Sequence, residues 1–206
     1  MILGADPLRR AGLLAFVGAA QFFVFLSIAE SLYPNYNVSS QPLSDLGATC
    51  RSGSCTIHEP SSAIFNSTVF VLGTLVFVAA FYVYVTRFRL QGGLMALSAW
   101  GVMGVALFPG TAGSIHTLLS LVAFLFGGLA AVASYRMQKR PLSYFSVIFG
   151  VFSLAALVFY ASGVYLGLGQ GGMETMIVYP ELLWILSFGT YLFSRPVVRE
   201  PVPVPL

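Results

Sequence analysis

The sequence predicts an all-α fold, a polytopic bundle of six transmembrane helices, and three observations carry that expectation. The chain is 57% hydrophobic and only 8% charged, with a mean hydropathy of +0.86, too apolar for an ordinary soluble domain. Six stretches are long and apolar enough to cross a bilayer, where each segment must satisfy its own backbone hydrogen bonds. The basic residues, finally, fall between these stretches on alternate connections, as they do in multi-pass membrane proteins.

Taken in order, the first span covers roughly Gly12–Leu32 and begins just after Arg9 and Arg10. It runs on through FVFLSIAESLYP without a small-residue cleavage site, so it reads as a retained helix and not as a cleaved leader. The second covers roughly Ile64–Thr86, with Pro60 suited to the first turn and Asn66 about two turns in. The third, Gly93–Phe108, is the shortest and richest in glycine. The fourth, Ile115–Tyr135, follows the tight turn FPGTAG and places His116 at its entrance. The fifth is Phe145–Leu166. The sixth, Met176–Ser194, contains Glu181 more than a turn inside the apolar run, where an ionisable side chain is costly and faces the protein or a wet cavity. Residues 1–195 form the membrane domain, and the proline-rich 196–206 reads as a solvated tail.

Nine of the ten basic residues share one side of this arrangement: Arg9, Arg10, Arg87, Arg89, Arg136, Lys139, Arg140, Arg195 and Arg199. Only Arg51 falls on the other. This bias places both termini in the cytoplasm of a cell-membrane protein and the 34–62 loop outside, as a lid between helices 1 and 2. The same topology explains the pI of about 9.0 and leaves no need for nucleic acid as a partner.

The acidic residues show the opposite bias: Glu30, Asp45, Glu59, Glu174 and Glu181 all lie on or near the outer face, with His58 and His116. In QPLSDLG, Pro42 begins and Gly47 ends one short turn whose Leu43 and Leu46 form a narrow apolar face. Leu43 and Leu46 need an apolar surface, and Asp45 needs donors, for which Asn66, His116 and the turn's own amides are candidates. An ionised Asp45 beside His116 is expected to be held low in pKa, and the histidine high. Cys50 and Cys55, the two cysteines of the chain, lie on the oxidising side, and a disulfide is the favoured pairing. The alternative is a metal array of Cys50, Cys55, His58 and Asp45, incomplete as a zinc pattern.

YPNYNVSSQPLSDLG, PSSAIFNSTVFVLG and LFPGTAGSIHTLLSLVAFLFGGLAA together resemble the prokaryotic domain-of-unknown-function family 998, six-helix membrane proteins common in archaea and bacteria. The resemblance covers roughly residues 10–195. More distantly, the SDLG...P...F pattern is similar to the eukaryotic Frag, DRAM and Sfk membrane proteins, some associated with lipid remodelling. The resemblance carries over Ser44, Asp45, Asn66 and His116. It does not carry over Cys50, Cys55 or His58.

Three readings of function stand side by side. In the first, an outer polar pocket binds or modifies a membrane lipid or other amphiphile, with Asp45 and His116 as an acid–base pair and Ser44, Asn66 and Glu181 contacting the substrate. No nucleophile elbow or HExxH element is present, so whether the protein is an enzyme stays open. The second is a non-catalytic membrane subunit or assembly factor, its glycine-rich faces packing within the chain, in a homo-oligomer or against a partner. The third is a b-type haem protein ligated by His58 and His116. The cofactor is otherwise unknown.

Overall fold

The structure, a computed structural model, describes residues 6–51 and 53–196. The expected tail from 197 onward, with Arg199 and Glu200, lies outside the described residues. Six helices follow in order: α1 Pro7–Leu32, α2 Ser61–Tyr84, α3 Arg89–Leu107, α4 Ser114–Ala133, α5 Leu142–Ala161 and α6 Gly169–Phe193. All six are long and apolar enough to cross a membrane. A two-stranded hairpin, β1 Thr49–Arg51 and β2 Ser54–Thr56, interrupts the α1–α2 connection.

Each helix begins before its hydropathy-marked start, because a polar or glycine-rich first turn can be helical without being apolar. Asp6 caps α1 by accepting from the Leu8 amide at 2.9 Å, with Pro7 at the first helical position. The sixth helix begins seven residues before the sequence-expected start, inside GQGGMET. Pro180 therefore lies within the helix and Glu181 lies three turns in, as its position inside the apolar run suggested.

Each helix packs on the next in sequence, and α6 returns to α1, closing a ring. Large apolar side chains such as Phe25, Leu90, Leu118 and Val158 face outward, the surface a bilayer requires. Arg9 lies over Phe193 and Arg10 over Tyr82, so the start of α1 meets the ends of α2 and α6 at one basic end of the bundle. The opposite, acidic end carries the 33–60 segment.

Close helix crossings set the inner diameter. At the α1–α6 crossing, a Cβ on Gly12 would strike the Gly189 carbonyl oxygen and Leu192 Cβ, and one on Gly189 would come within 2.8 Å of the Phe16 amide. Gly101 meets Ala123 of α4 in the same way, and Gly128 meets Leu154 of α5. The glycines of GGLMALSAWGVMG and FGGLAA are thus largely spent on contacts within the chain. Gly93, with nothing within 4 Å of a built Cβ, is the exception.

Gly12→Val is expected to lower stability by about 1–3 kcal/mol through overpacking, whereas Gly93→Ala is expected to be neutral or stabilising by up to about 1 kcal/mol through helix propensity. Thermal unfolding in detergent measures both.

Candidate functional site

The site is built at the acidic end, where the α1–α2 connection folds over the helix ring. Asn37 Oδ1 accepts from the amides of Ser39 at 3.0 Å and Ser40 at 3.2 Å, shaping a tight turn. Ser39 then reaches α6, donating to the Leu168 carbonyl at 2.6 Å and accepting from the Gly171 amide at 3.0 Å. A Cβ on Gly171 would collide with the carbonyls of Val38 and Gln41, so this glycine permits the approach.

Next comes a single 3-10 turn, Leu43–Leu46, led by Pro42. Leu43 and Leu46 are 3% and 0% exposed, packed into the main apolar core as their spacing suggested. The turn is held from two sides. From α6, Glu174 accepts the Ser44 amide at 3.3 Å, with the Leu43 amide and the Ser44 hydroxyl beside it. From α2, the Ser62 hydroxyl donates to the Gly47 carbonyl at 2.6 Å, and Asn66 Nδ2 donates to the same carbonyl at 3.4 Å. A Cβ on Gly47 would meet Asn66 Oδ1 at 2.5 Å.

Asp45 is only 5% exposed, and its partner is Arg51. The guanidinium grips both carboxylate oxygens, Nη2 to Oδ2 and Nη1 to Oδ1, the fork geometry that suits arginine. This corrects the expected donors: Asn66 serves Gly47, and His116 Nδ1 pairs with the Phe108 carbonyl at 2.8 Å. The expected direction of the aspartate pKa is corrected too. Burial pushes the Asp45 carboxyl above its ordinary value, and the hydrogen bonds and charge of Arg51, then the charge of His116, pull it only part of the way back.

Cys50 and Cys55 face each other across the hairpin and are joined by a disulfide. Both sulfurs are consumed, so the alternative array of Cys50, Cys55, His58 and Asp45 is overturned as a metal site. Tyr33 anchors the hairpin from the end of α1 through its hydroxyl to Thr49, and its ring meets His58 edge-on at 4.6 Å. His58 and His116 thus belong to separate contacts.

Beneath the turn lies a cavity of about 100 Å³ inside the helix ring. Phe22, Leu43 and Phe65 give it an apolar wall, and Ser44, Glu174 and Glu181 are its polar members, joined by Ser120 of α4. Neither histidine lines it, nor do Asp45 and Asn66. Of the expected site residues the structure therefore brings Ser44 and Glu181 to one space, ties Asp45 and Asn66 to the turn above it, and places His116 in the α3–α4 connection. Glu174, noticed in the sequence only as an outer acid, is the residue that was missed. It stands seven residues before Glu181, two helical turns apart on one face, a signal hidden because GQGGMET reads as loop.

Glu181 is held as firmly as Glu174. Ser153 of α5 donates to its Oε1 at 2.8 Å, and its Oε2 fits against Gly127 of α4, where a side chain would collide. A second cavity of about 70 Å³ continues on its far side, bounded by Gly127 and Trp184. Below that, Trp184 donates to Ser134 at 2.9 Å, and Gln138 joins Ser134 to Ser146.

Residues 16–191 match the family model described as Protein of unknown function (DUF998). The chain belongs to this family. The match runs from within α1 to within α6 and so takes in the whole helix ring, the hairpin and both cavity-lining glutamates of this DUF998 protein. Together with six membrane-length apolar helices it makes the chain an integral membrane protein. No curated protein and no solved structure matches the chain.

The Asp45–Arg51 pair makes a pH-dependent prediction. Because the folded-state pKa of Asp45 lies above its ordinary value, this group's contribution to stability falls as pH rises through that interval. Arg51→Gln raises the folded-state value further and enlarges the loss. At pH 7 the variant is expected to be less stable by about 1 kcal/mol, since Arg51 is half-exposed. The difference should shrink as pH falls and vanish once it lies well below the raised folded-state value, where Asp45 is protonated in both folded proteins. Thermal shifts across pH measure it.

Proposed function

We propose that the protein binds a membrane-borne amphiphile in the carboxylate-lined cavity, with the Leu43–Leu46 turn acting as a lid. The carrying observation is the cavity itself, apolar except at Ser44, Ser120, Glu174 and Glu181, with no cationic side chain on its wall. An apolar space with a few placed polar groups is the general form of a small-molecule site. Two carboxylates without a facing cation favour a head group that is basic or donates hydrogen bonds, and disfavour an acidic one.

Size sharpens the reading. About 100 Å³ is less than the ~150 Å³ apolar cavity that accommodates benzene. The closed form therefore takes a head group or a short apolar segment, and a longer chain requires the turn to lift from Glu174 and Ser62. In this reading Ser44, Glu174 and Glu181 contact the ligand, and the Asp45–Arg51 pair and Asn66 hold the lid in place without touching the ligand. The basic end faces the cytoplasm and the lid faces outward, supported by the segregation of the described basic residues.

A photoreactive long-chain amine tests the binding, with the fatty acid of equal length as comparison. The amine is expected to label α6 peptides, and Glu181→Gln to reduce labelling roughly tenfold or more while the protein stays folded. Equal labelling by the fatty acid, or labelling indifferent to Glu174→Gln and Glu181→Gln, would sink the reading. Orientation is checked on Ser40→Cys, since the native cysteines are paired: an impermeant maleimide should label it on intact cells, and labelling only after lysis reverses the topology.

A further inference from the structure

The basic end of the bundle holds a further and larger space. A groove of about 630 Å³ runs between the start of α3, the end of α4 and the flank of α5. Arg87 and Arg136 stand at its rim, and Leu90, Val132 and Val147 form its apolar wall. Gln91 lies in the wall with its Nε2 fixed to the Ala130 carbonyl at 3.0 Å. No carboxylate lines the groove.

Among the described residues neither arginine has a carboxylate partner. Among the described residues the ion pair is Arg51–Asp45, at the opposite end. Arg87 lies over the ring of Phe88, itself part of the groove, at 4.9 Å, which leaves the edge of the guanidinium for an acceptor. Arg140, by contrast, is drawn aside onto Tyr144 at 5.2 Å and does not line the groove. The volume falls within the ordinary range for a ligand pocket, about six times that of the central cavity.

We propose that this groove is a binding site for an anionic glycerophospholipid, with the phosphate between Arg87 and Arg136 and an acyl chain along Leu90, Val132 and Val147. Charge complementarity argues for the anion, because two guanidinium groups form a fork for phosphate oxygens that a neutral head group does not match. The wall argues for a lipid and not a soluble anion: apart from the arginines and Gln91 the lining is apolar or aromatic, and much of it belongs to membrane-length helices. Basic pockets between transmembrane helices are known to recognise anionic head groups on this principle. Tyr135, 41% exposed beside Arg136, supplies the amphipathic ring that sits at head-group depth. The site is independent of the central cavity and of its proposed ligand.

The test is native mass spectrometry of the full chain, purified in detergent and mixed with phosphatidylglycerol and phosphatidylcholine of identical chains. The native protein should retain phosphatidylglycerol in preference, and Arg87→Gln/Arg136→Gln should reduce that preference roughly tenfold. Arg140→Gln should leave it intact. Val147→Phe, which keeps both arginines but fills the apolar wall, should also lower retention, so the proposal is still tested if the double variant does not fold. Unchanged preference in the double variant or in Val147→Phe overturns the site. An equal loss in Arg140→Gln reduces it to general surface charge, and displacement of the lipid by millimolar glycerol phosphate reduces it to a soluble-anion site; either result overturns the lipid assignment.

Discussion

A bilayer offers no hydrogen bonds, so the polar side chains this bundle buries are paired chiefly within the protein, with Oε1 of Glu30 and of Gln91 and Nε2 of Gln138 left without a partner, and much of the arrangement of the helices follows from that constraint. Glu181 binds α6 to α5 through Ser153 and presses on the bare backbone of α4 at Gly127. Gln21 ties α1 to the Thr68 carbonyl of α2 at 3.0 Å, and Gln91 ties α3 to α4. Ser134, Gln138, Ser146 and Trp184 link the ends of α4, α5 and α6. Each of these is a tether between helices that have no hydrophobic reason to prefer one another over lipid.

The same constraint explains why the α1–α2 connection lies down on the bundle. Its turn carries backbone amides, a buried aspartate and two leucines, and only the acidic end supplies partners for all of them at once. Glu174 takes the Ser44 amide, Ser62 and Asn66 take the Gly47 carbonyl, Arg51 takes Asp45, and the core takes Leu43 and Leu46. What remains under the turn is a small cavity that keeps Glu174 and Glu181 on one wall. Under the proposed function, ligand binding would draw on the same Glu174 that holds the turn, which is how occupancy of the cavity would be felt by the turn above it.

Much of this was legible in the sequence, and the parts that were not share a physical reason. Hydropathy located all six helices, and the i,i+3 leucines of QPLSDLG gave the buried turn. The cysteine pair across the hairpin followed from count and spacing. Helix 6, however, was cut short because GQGGMET has the composition of a loop, and with it went the alignment of Glu174 with Glu181. Asp45 was matched with His116 because both were expected at one depth. Depth along the membrane does not fix position around the ring, and Arg51, six residues away on a hairpin strand, was closer. Partners chosen by the hairpin's fold cannot be read from hydropathy.

The claim that most needs measurement is that Glu174 pins the Leu43–Leu46 turn over the cavity. Hydrogen–deuterium exchange of the full chain in lipid nanodiscs addresses it directly, since the amides of Ser44, Asp45, Gly47 and Ala48 have acceptors within a mostly buried turn, whereas those around Ser40 bond to Asn37 in an exposed one. These amides should exchange far more slowly than the exposed segment around Ser40. Glu174→Ala should accelerate them about tenfold or more while α6 stays protected. Exchange of residues 44–48 as fast as that of the exposed segment, or no change in Glu174→Ala, would contradict it.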